Sequence, residues 1–152
     1  MNYGNIYIES KVCAIKGDSM KHYEVVCALI ENEEGNVFCC KRGPERALMG
    51  KWEFPGGKVE KEETHEETIV REIREELKSE ILPIKYIGSS SYEYHHIEPF
   101  DDFGITLYAY KCKLIKGNLT LTEHTDYKWA SKEEMKKMDF AEADKPFISC
   151  LD

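Results

Sequence analysis

Short apolar runs punctuated by turn residues dominate the chain, and one long stretch changes to a helical period. His22 to Ile30 carries a continuous apolar centre, Val25-Val26-Cys27-Ala28-Leu29-Ile30, the pattern of a strand buried on both faces. Glu33-Glu34-Gly35-Asn36 is a turn, and Val37 to Arg42 returns as its hairpin partner. A loop over Gly43 to Lys51 leads to a short strand, Trp52 to Phe54, that stops at Pro55-Gly56-Gly57. Ile84 to His95 and Ile105 to Leu114 read as two long strands joined by a mobile loop. Asp126 to Ala130 is a further strand, and Ser131 with Glu134 forms a capping box that opens a helix to about Met138. Asp144 to Leu151 fits a last helix, with Asp144 as its N-cap and Pro146 in the first turn. Strands mixed with few helices give an α+β class.

The helical stretch starts at a second capping box, Thr64 with Glu67, and runs from His65 to Leu77. At ~100° per residue, Ile69, Val70, Ile73 and Leu77 share one stripe, which faces the core. Glu72, Glu75 and Glu76 recur at i, i+3, i+4 and share another face. Three like charges so placed repel, by roughly 0.2–0.5 kcal/mol per pair in water. A bound cation removes that penalty, and oxygen-only ligands suit Mg²⁺, Mn²⁺ or Ca²⁺. The bland alternative is a solvated charged face. Upstream, Gly56 and Gly57 permit positive φ or close backbone approach to a ligand, which favours the metal reading.

A chain of 152 residues suits one domain with a single core. Its net charge of −8 argues against a general binder of nucleic-acid polymers or membrane surfaces. A small anionic substrate then needs local positive charge or a metal. No apolar run approaches a membrane span, and no signal-peptide core stands at the N-terminus, so a cytoplasmic protein is expected. The six cysteines form no C-x-x-C pair and read as reduced, mostly buried thiols. Cys39 and Cys40, adjacent on a strand, should point to opposite faces.

Gly57, Glu63, Arg71, Glu72, Ile73, Glu75 and Glu76 match the Nudix box, G-x5-E-x7-R-E-U-x-E-E-x-G-U, where U is aliphatic. The chain resembles that superfamily from about Tyr23 to Leu151, with residues 20–152 as the Nudix domain and 1–19 as an extension outside it. Ile6, Ile8, Val12 and Ala14 alternate in the extension and fit a small strand or hairpin, with Met20 an alternative start. Lys78 and Ser79 depart from the box, where the family has glycine and an aliphatic residue; Ile81 or Leu82 is expected to supply the lost packing. The resemblance implies an α/β/α sandwich with a mixed central sheet.

Within the superfamily the chain is most similar to MutT-like nucleoside triphosphate pyrophosphohydrolases. The residues that carry this are Cys40-Lys41-Arg42, Trp52 to Lys58, Ile105-Thr106-Leu107, Glu123 six before Trp129, and Ala143-Asp144-Lys145-Pro146. The resemblance implies Mg²⁺, or Mn²⁺, held by backbone oxygen near Gly56 with Glu72, Glu75, Glu76 and Glu123. Glu72 or Glu123 is then the general base. Arg71, paired with Glu63, holds the ligands in place. Arg42 grips phosphate through its fork. Tyr23, Phe54 and Ile105 flank a base pocket, with core packing as their alternative. Asp144 stands where relatives that act on cytosine nucleotides carry aspartate and those that read oxidised guanine often carry asparagine; an ionised Asp144 suits a cytosine-type base, a protonated one an oxidised purine. His124 reads as an exposed loop histidine, with proton transfer as the other possibility. The implied partner is a small nucleotide. One rival reading is a dinucleoside polyphosphate or nucleotide-sugar hydrolase, with Tyr92 and Tyr94 as an aromatic clamp. Another is a non-catalytic nucleotide-sensing domain. The oligomeric state stays open.

Overall fold

The computed structural model describes residues 20–151. The expected strand or hairpin in the N-terminal extension, and Cys13, lie outside these residues. Among the described residues, seven strands fall into two sheets. β1 (Lys21–Ile30), β4 (Gly56–Lys58), β5 (Glu80–Tyr94) and β6 (Phe103–Lys116) form a sheet of order β4-β1-β6-β5. In it β1 and β6 run parallel and the other pairs antiparallel, so the sheet is mixed. β2 (Val37–Lys41), β3 (Trp52–Glu53) and β7 (Asp126–Ala130) form the antiparallel second sheet, of order β3-β2-β7.

Two apolar layers flank the strands. On one side α1 (His65–Leu77) lays Ile69, Ile73 and Leu77 on Val26, Ala28, Ile30, Phe38 and Cys40. Fully burying each of those three side chains stabilises by roughly 1.5–3 kcal/mol. On the other side Cys27, Leu29 and Cys39 meet Met135 of α2 (Lys132–Met135), together with Phe140, Phe147 and Ile148. The odd and even positions of β1 and β2 therefore serve different layers, and Cys39 and Cys40 separate as their pleat requires. This is the α+β sandwich expected.

Both capping boxes form, with the side chains of Glu67 and Glu134 reaching back to the backbone N–H of Thr64 and Ser131. Lys78 ends α1 in the left-handed conformation, φ 51° and ψ 40°, which the family's glycine would adopt without a β-carbon. Ser79 is buried: its hydroxyl donates to the Leu77 carbonyl and accepts from the Leu119 N–H. Ile81 takes up the aliphatic packing, whereas Leu82 is 54% exposed.

Several boundaries move. β5 begins at Glu80 rather than Ile84 because Glu80 to Pro83 pair with β6 through register shifts that hide the strand's period. β6 extends to Phe103 and Lys116. α2 stops at Met135, where tight turns carry the chain on; Trp52 then bonds to it on both sides, through the carbonyl of Asp139 and the N–H of Ala141. The last helix is a 3₁₀ segment, Lys145–Cys150. Asp144 does not cap it: its carboxylate is used elsewhere. The loop between β5 and β6 is tied at its base, where His95 Nδ1 lies 2.7 Å from Asp102 and the His96 N–H donates to the same carboxylate.

Candidate active site

The acidic face of α1 looks toward β4. Gly57 is needed here for close approach rather than for positive φ, since a β-carbon on it would run into the Glu72 carboxylate. A β-carbon on Gly56 would strike the Val26 carbonyl across the β1–β4 pair. Where the pattern predicts a turn, Gly56 and Gly57 instead pair with β1 as part of β4, and their missing side chains let the helix carboxylate lie directly on that strand.

Arg71 organises this face. Nε and Nη2 donate to the two oxygens of Glu63 at 2.7 and 3.0 Å, while Nη1 donates to Glu72 at 2.8 Å and Glu75 at 3.1 Å. Nη2 also meets the Lys58 carbonyl at 3.3 Å. Those bonds to Arg71, with one from Thr68, bring the Glu63 carboxyl down to about 2. The fork ties the loop after β4 to the acidic face of the helix.

Glu72, Glu76 and Glu123 form a chain of neighbouring carboxyls with Glu76 in the middle. Burial, then Glu123 and Glu72, push the Glu76 carboxyl up to about 8. Burial also raises Glu72 against the lowering effect of Arg71. Glu75 lies at the rim, 59% exposed. Buried carboxyls that repel and draw in a proton are the donor set a hard divalent cation relieves, so these residues fit such an ion. A Cys40, Glu53 and His124 group has ligand atoms within 4.8 Å of one another. It does not compete as a cation centre: Glu53 already accepts from Arg42 and faces His124, and the guanidinium opposes a second positive charge.

Beside the carboxyls opens a cavity of about 1190 Å³. Tyr23, Phe54, Ile105, Arg42, Asp144, Glu72 and Glu76 all line it. Tyr23 and Ile105 are partly buried and Phe54 is buried against Phe140, at 5.1 Å between ring centres. Asp144 is buried at the inner wall, where its Oδ2 accepts the Phe54 N–H at 3.0 Å. Burial and the neighbouring Glu53 push its carboxyl well above the usual range, opposed by the Phe54 N–H and Arg42. Arg42 reaches this wall, with Nε on the Ala47 carbonyl at 2.6 Å and Nη1 on Glu53 at 2.8 Å.

Glu53 and Arg46, and the burial of His124, were not read from the sequence pattern. Glu53 bridges Arg42 and His124 through its two oxygens. His124 is buried, not exposed: its imidazole is 2% exposed, with Nε2 2.9 Å from Glu53. Arg46 donates to Glu123 at 2.9 Å and stands 3.9 Å from Glu76. The Glu53–His124 and Arg46–Glu123 contacts span 71 and 77 residues, beyond the reach of a local pattern. Tyr92 and Tyr94 do not make an open clamp. Tyr94 is buried, stacks on Phe103 at 5.1 Å, and accepts the Ala143 N–H.

A mixed sheet carries a helix-borne carboxylate cluster beside a large cavity, the arrangement expected of a Nudix hydrolase. The chain belongs to the NUDIX domain family, whose pattern it matches over residues 20–150. It is 36% identical over 132 residues to the CTP pyrophosphohydrolase of Escherichia coli K12, covering 87% of this chain and 93% of that protein. It is 32% identical over 132 residues to the 8-oxo-dGTP diphosphatase of the same strain, covering 87% and 98%. Among solved structures, the MutT protein from Methanosarcina mazei Go1 superposes with a TM-score of 0.75 at 26% identity, over 87% of this chain and 94% of that one. No described helix is long and apolar enough to cross a membrane.

Proposed function

We propose that the protein hydrolyses nucleoside triphosphates to nucleoside monophosphate and pyrophosphate with Mg²⁺, or Mn²⁺, and prefers cytosine-type bases. The observation that carries this reading is Asp144, a carboxyl on the inner wall of the cavity, fixed by the Phe54 N–H. Burial favours the protonated form of Asp144 in the free protein, opposed by Arg42 and the Phe54 N–H; the exocyclic amine of cytosine is a donor and on binding favours the ionised carboxylate, which only accepts hydrogen bonds. The likeness to a protein named CTP pyrophosphohydrolase supports the same choice.

In this reading Glu72, Glu75, Glu76 and Glu123, with backbone oxygen near Gly56, hold the cation. When bound, such an ion neutralises phosphate charge and lowers the pKa of a water. Glu72 or Glu123 accepts the proton of the attacking water. Its oxygen bonds to the β-phosphorus, and the oxygen bridging the α- and β-phosphorus leaves with the monophosphate. Arg71 keeps Glu72 aimed while the charge moves. Tyr23, Phe54 and Ile105 supply the flat apolar walls of the base pocket, and Arg42 stands at the same wall.

The test is turnover of a nucleotide panel with Mg²⁺, products resolved by chromatography. Expected is a higher kcat/KM for CTP, dCTP or a 5-modified form than for 8-oxo-dGTP, and a ratio that moves in Asp144→Asn. A second reading rests on the raised Asp144 carboxyl: a protonated acid donates to a ring nitrogen or carbonyl and admits oxidised purines. Preference for 8-oxo-dGTP in the wild type would select it.

A further inference from the structure

Most of the basic side chains that line this cavity are already engaged. Its basic lining residues are Lys21, Arg42, Arg46, Lys58 and His95. Arg42 is occupied by Glu53 and the Ala47 carbonyl, and Lys58 lies over the Tyr23 ring at 4.0 Å. His95 is held by Asp102 and Glu93. Arg71, outside this lining, is divided among Glu63, Glu72 and Glu75.

Arg46 differs. Its partners, Glu123 at 2.9 Å and Glu76 at 3.9 Å, are carboxylates that the site's cation would take. The loop that carries it is pinned on both sides. Arg42 Nε holds the Ala47 carbonyl, the Gly50 N–H donates to the Arg42 carbonyl, and the Arg42 N–H donates to the Lys51 carbonyl. Glu45 and Leu48 sit at φ 71° and 62°, which turns the loop tightly around Arg46. The backbone is thus fixed while the side chain, 37% exposed, reaches into the cavity.

We propose that Arg46 is a phosphate-binding residue, held by Glu123 beside Glu76 in the free protein and passed to the substrate's phosphate chain when a divalent cation takes those carboxyls. The inference rests on the proposed metal site and reaction. A guanidinium and a divalent cation compete for the same two carboxylates, so binding the cation releases the guanidinium beside the incoming anion. Its fork then meets phosphate oxygens with the geometry it is built for. Metal and triphosphate would thereby bind with positive coupling through one side chain.

Two titrations test this on Arg46→Gln and Arg46→Lys beside the wild type. Without nucleotide, Mn²⁺ binding is followed by electron paramagnetic resonance. Arg46→Gln should bind Mn²⁺ about fivefold more tightly, since a competing charge is gone. With saturating Mg²⁺, pyrophosphate binding is followed by calorimetry, and Arg46→Gln should bind it about tenfold more weakly. Arg46→Lys should fall between the two in both titrations, because a lysine competes as a charge but lacks the fork. An unchanged Mn²⁺ affinity, or an unchanged pyrophosphate affinity, overturns the proposal. A wild type that binds Mn²⁺ and pyrophosphate but turns over no nucleotide removes the proposed function while these titrations still decide Arg46. A wild type that binds neither removes both.

Discussion

The backbone N–H of Phe54 donates to Oδ2 of Asp144 at 3.0 Å, joining the chain just before β4 to a carboxyl 90 residues further on. The strand that carries Gly57 and the wall of the cavity that carries Asp144 are therefore tied through this bond. The contact also sets a pH dependence. Asp144 is raised above its ordinary 3.8 by burial and by Glu53, so the folded state holds a proton there that the unfolded chain has lost. Stability from this group is greatest at low pH and declines as pH rises above 3.8. Asp144→Asn keeps an acceptor for Phe54 and removes the titration. Urea denaturation from pH 4 to 8 should show a flatter profile for the variant, with its advantage over wild type growing toward pH 8; parallel profiles would count against a buried, raised Asp144.

Glu76 gives a second window. Its carboxyl moves from 4.5 unfolded to about 8 folded, so the metal-free protein should lose stability as pH rises from 4.5 toward 8 and level off above. Glu76→Gln should melt at or above the wild-type Tm at pH 8 without metal, yet lower kcat by at least about 10²-fold. Glu75→Gln should show the same kinetic loss at unchanged fold. Near-wild-type turnover in either variant places the cation elsewhere.

Gly57→Ala tests the contact between β4 and the helix. The new methyl group meets the flexible end of Glu72, so the side chain can swing away and the fold should persist. Mn²⁺ affinity should drop about 10- to 100-fold, the scale seen when a metal ligand loses its support. Retained affinity would mean that Glu72 need not rest on the strand.

Arg71→Lys and Glu63→Gln probe the fork. A lysine cannot hold both oxygens of Glu63 while reaching Glu72. Each variant should lower kcat by about 10- to 100-fold with a smaller effect on KM, because ligand aim is lost rather than substrate contact. A change confined to KM would make Arg71 a substrate-binding residue instead.

Lys78→Gly addresses the helix exit. Lys78 holds φ 51°, so glycine there relieves a β-carbon in the left-handed region. Stability should rise by up to about 1 kcal/mol with activity untouched, read by chemical denaturation. A loss would show that the lysine side chain contributes more than its backbone costs.

What was legible in the sequence follows from distance along the chain. The acidic face, both capping boxes and the split of Cys39 from Cys40 depend on local period, and each lies where the pattern predicts. The 3₁₀ tail and the free N-cap of Asp144 did not follow the pattern, because a partner 90 residues away claimed the carboxyl. Arg46 with Glu123, 77 apart, and His124 with Glu53, 71 apart, leave no trace in any short window. The start of β5 was hidden by Pro83 and by register shifts, which blur the alternation that marks a strand.

The parallel ladder between β1 and β6 has a temporal consequence. Val25 to Ile30 pair with Leu107 to Cys112, a partner synthesised some eighty residues later. On the ribosome β1 emerges before β6 and waits for it. Until Phe103–Lys116 arrives, one edge of β1 is open to any other strand in reach. The floor of the cavity is thus among the last parts to close, and a chain that stops short of it presents a sticky edge in place of an enzyme.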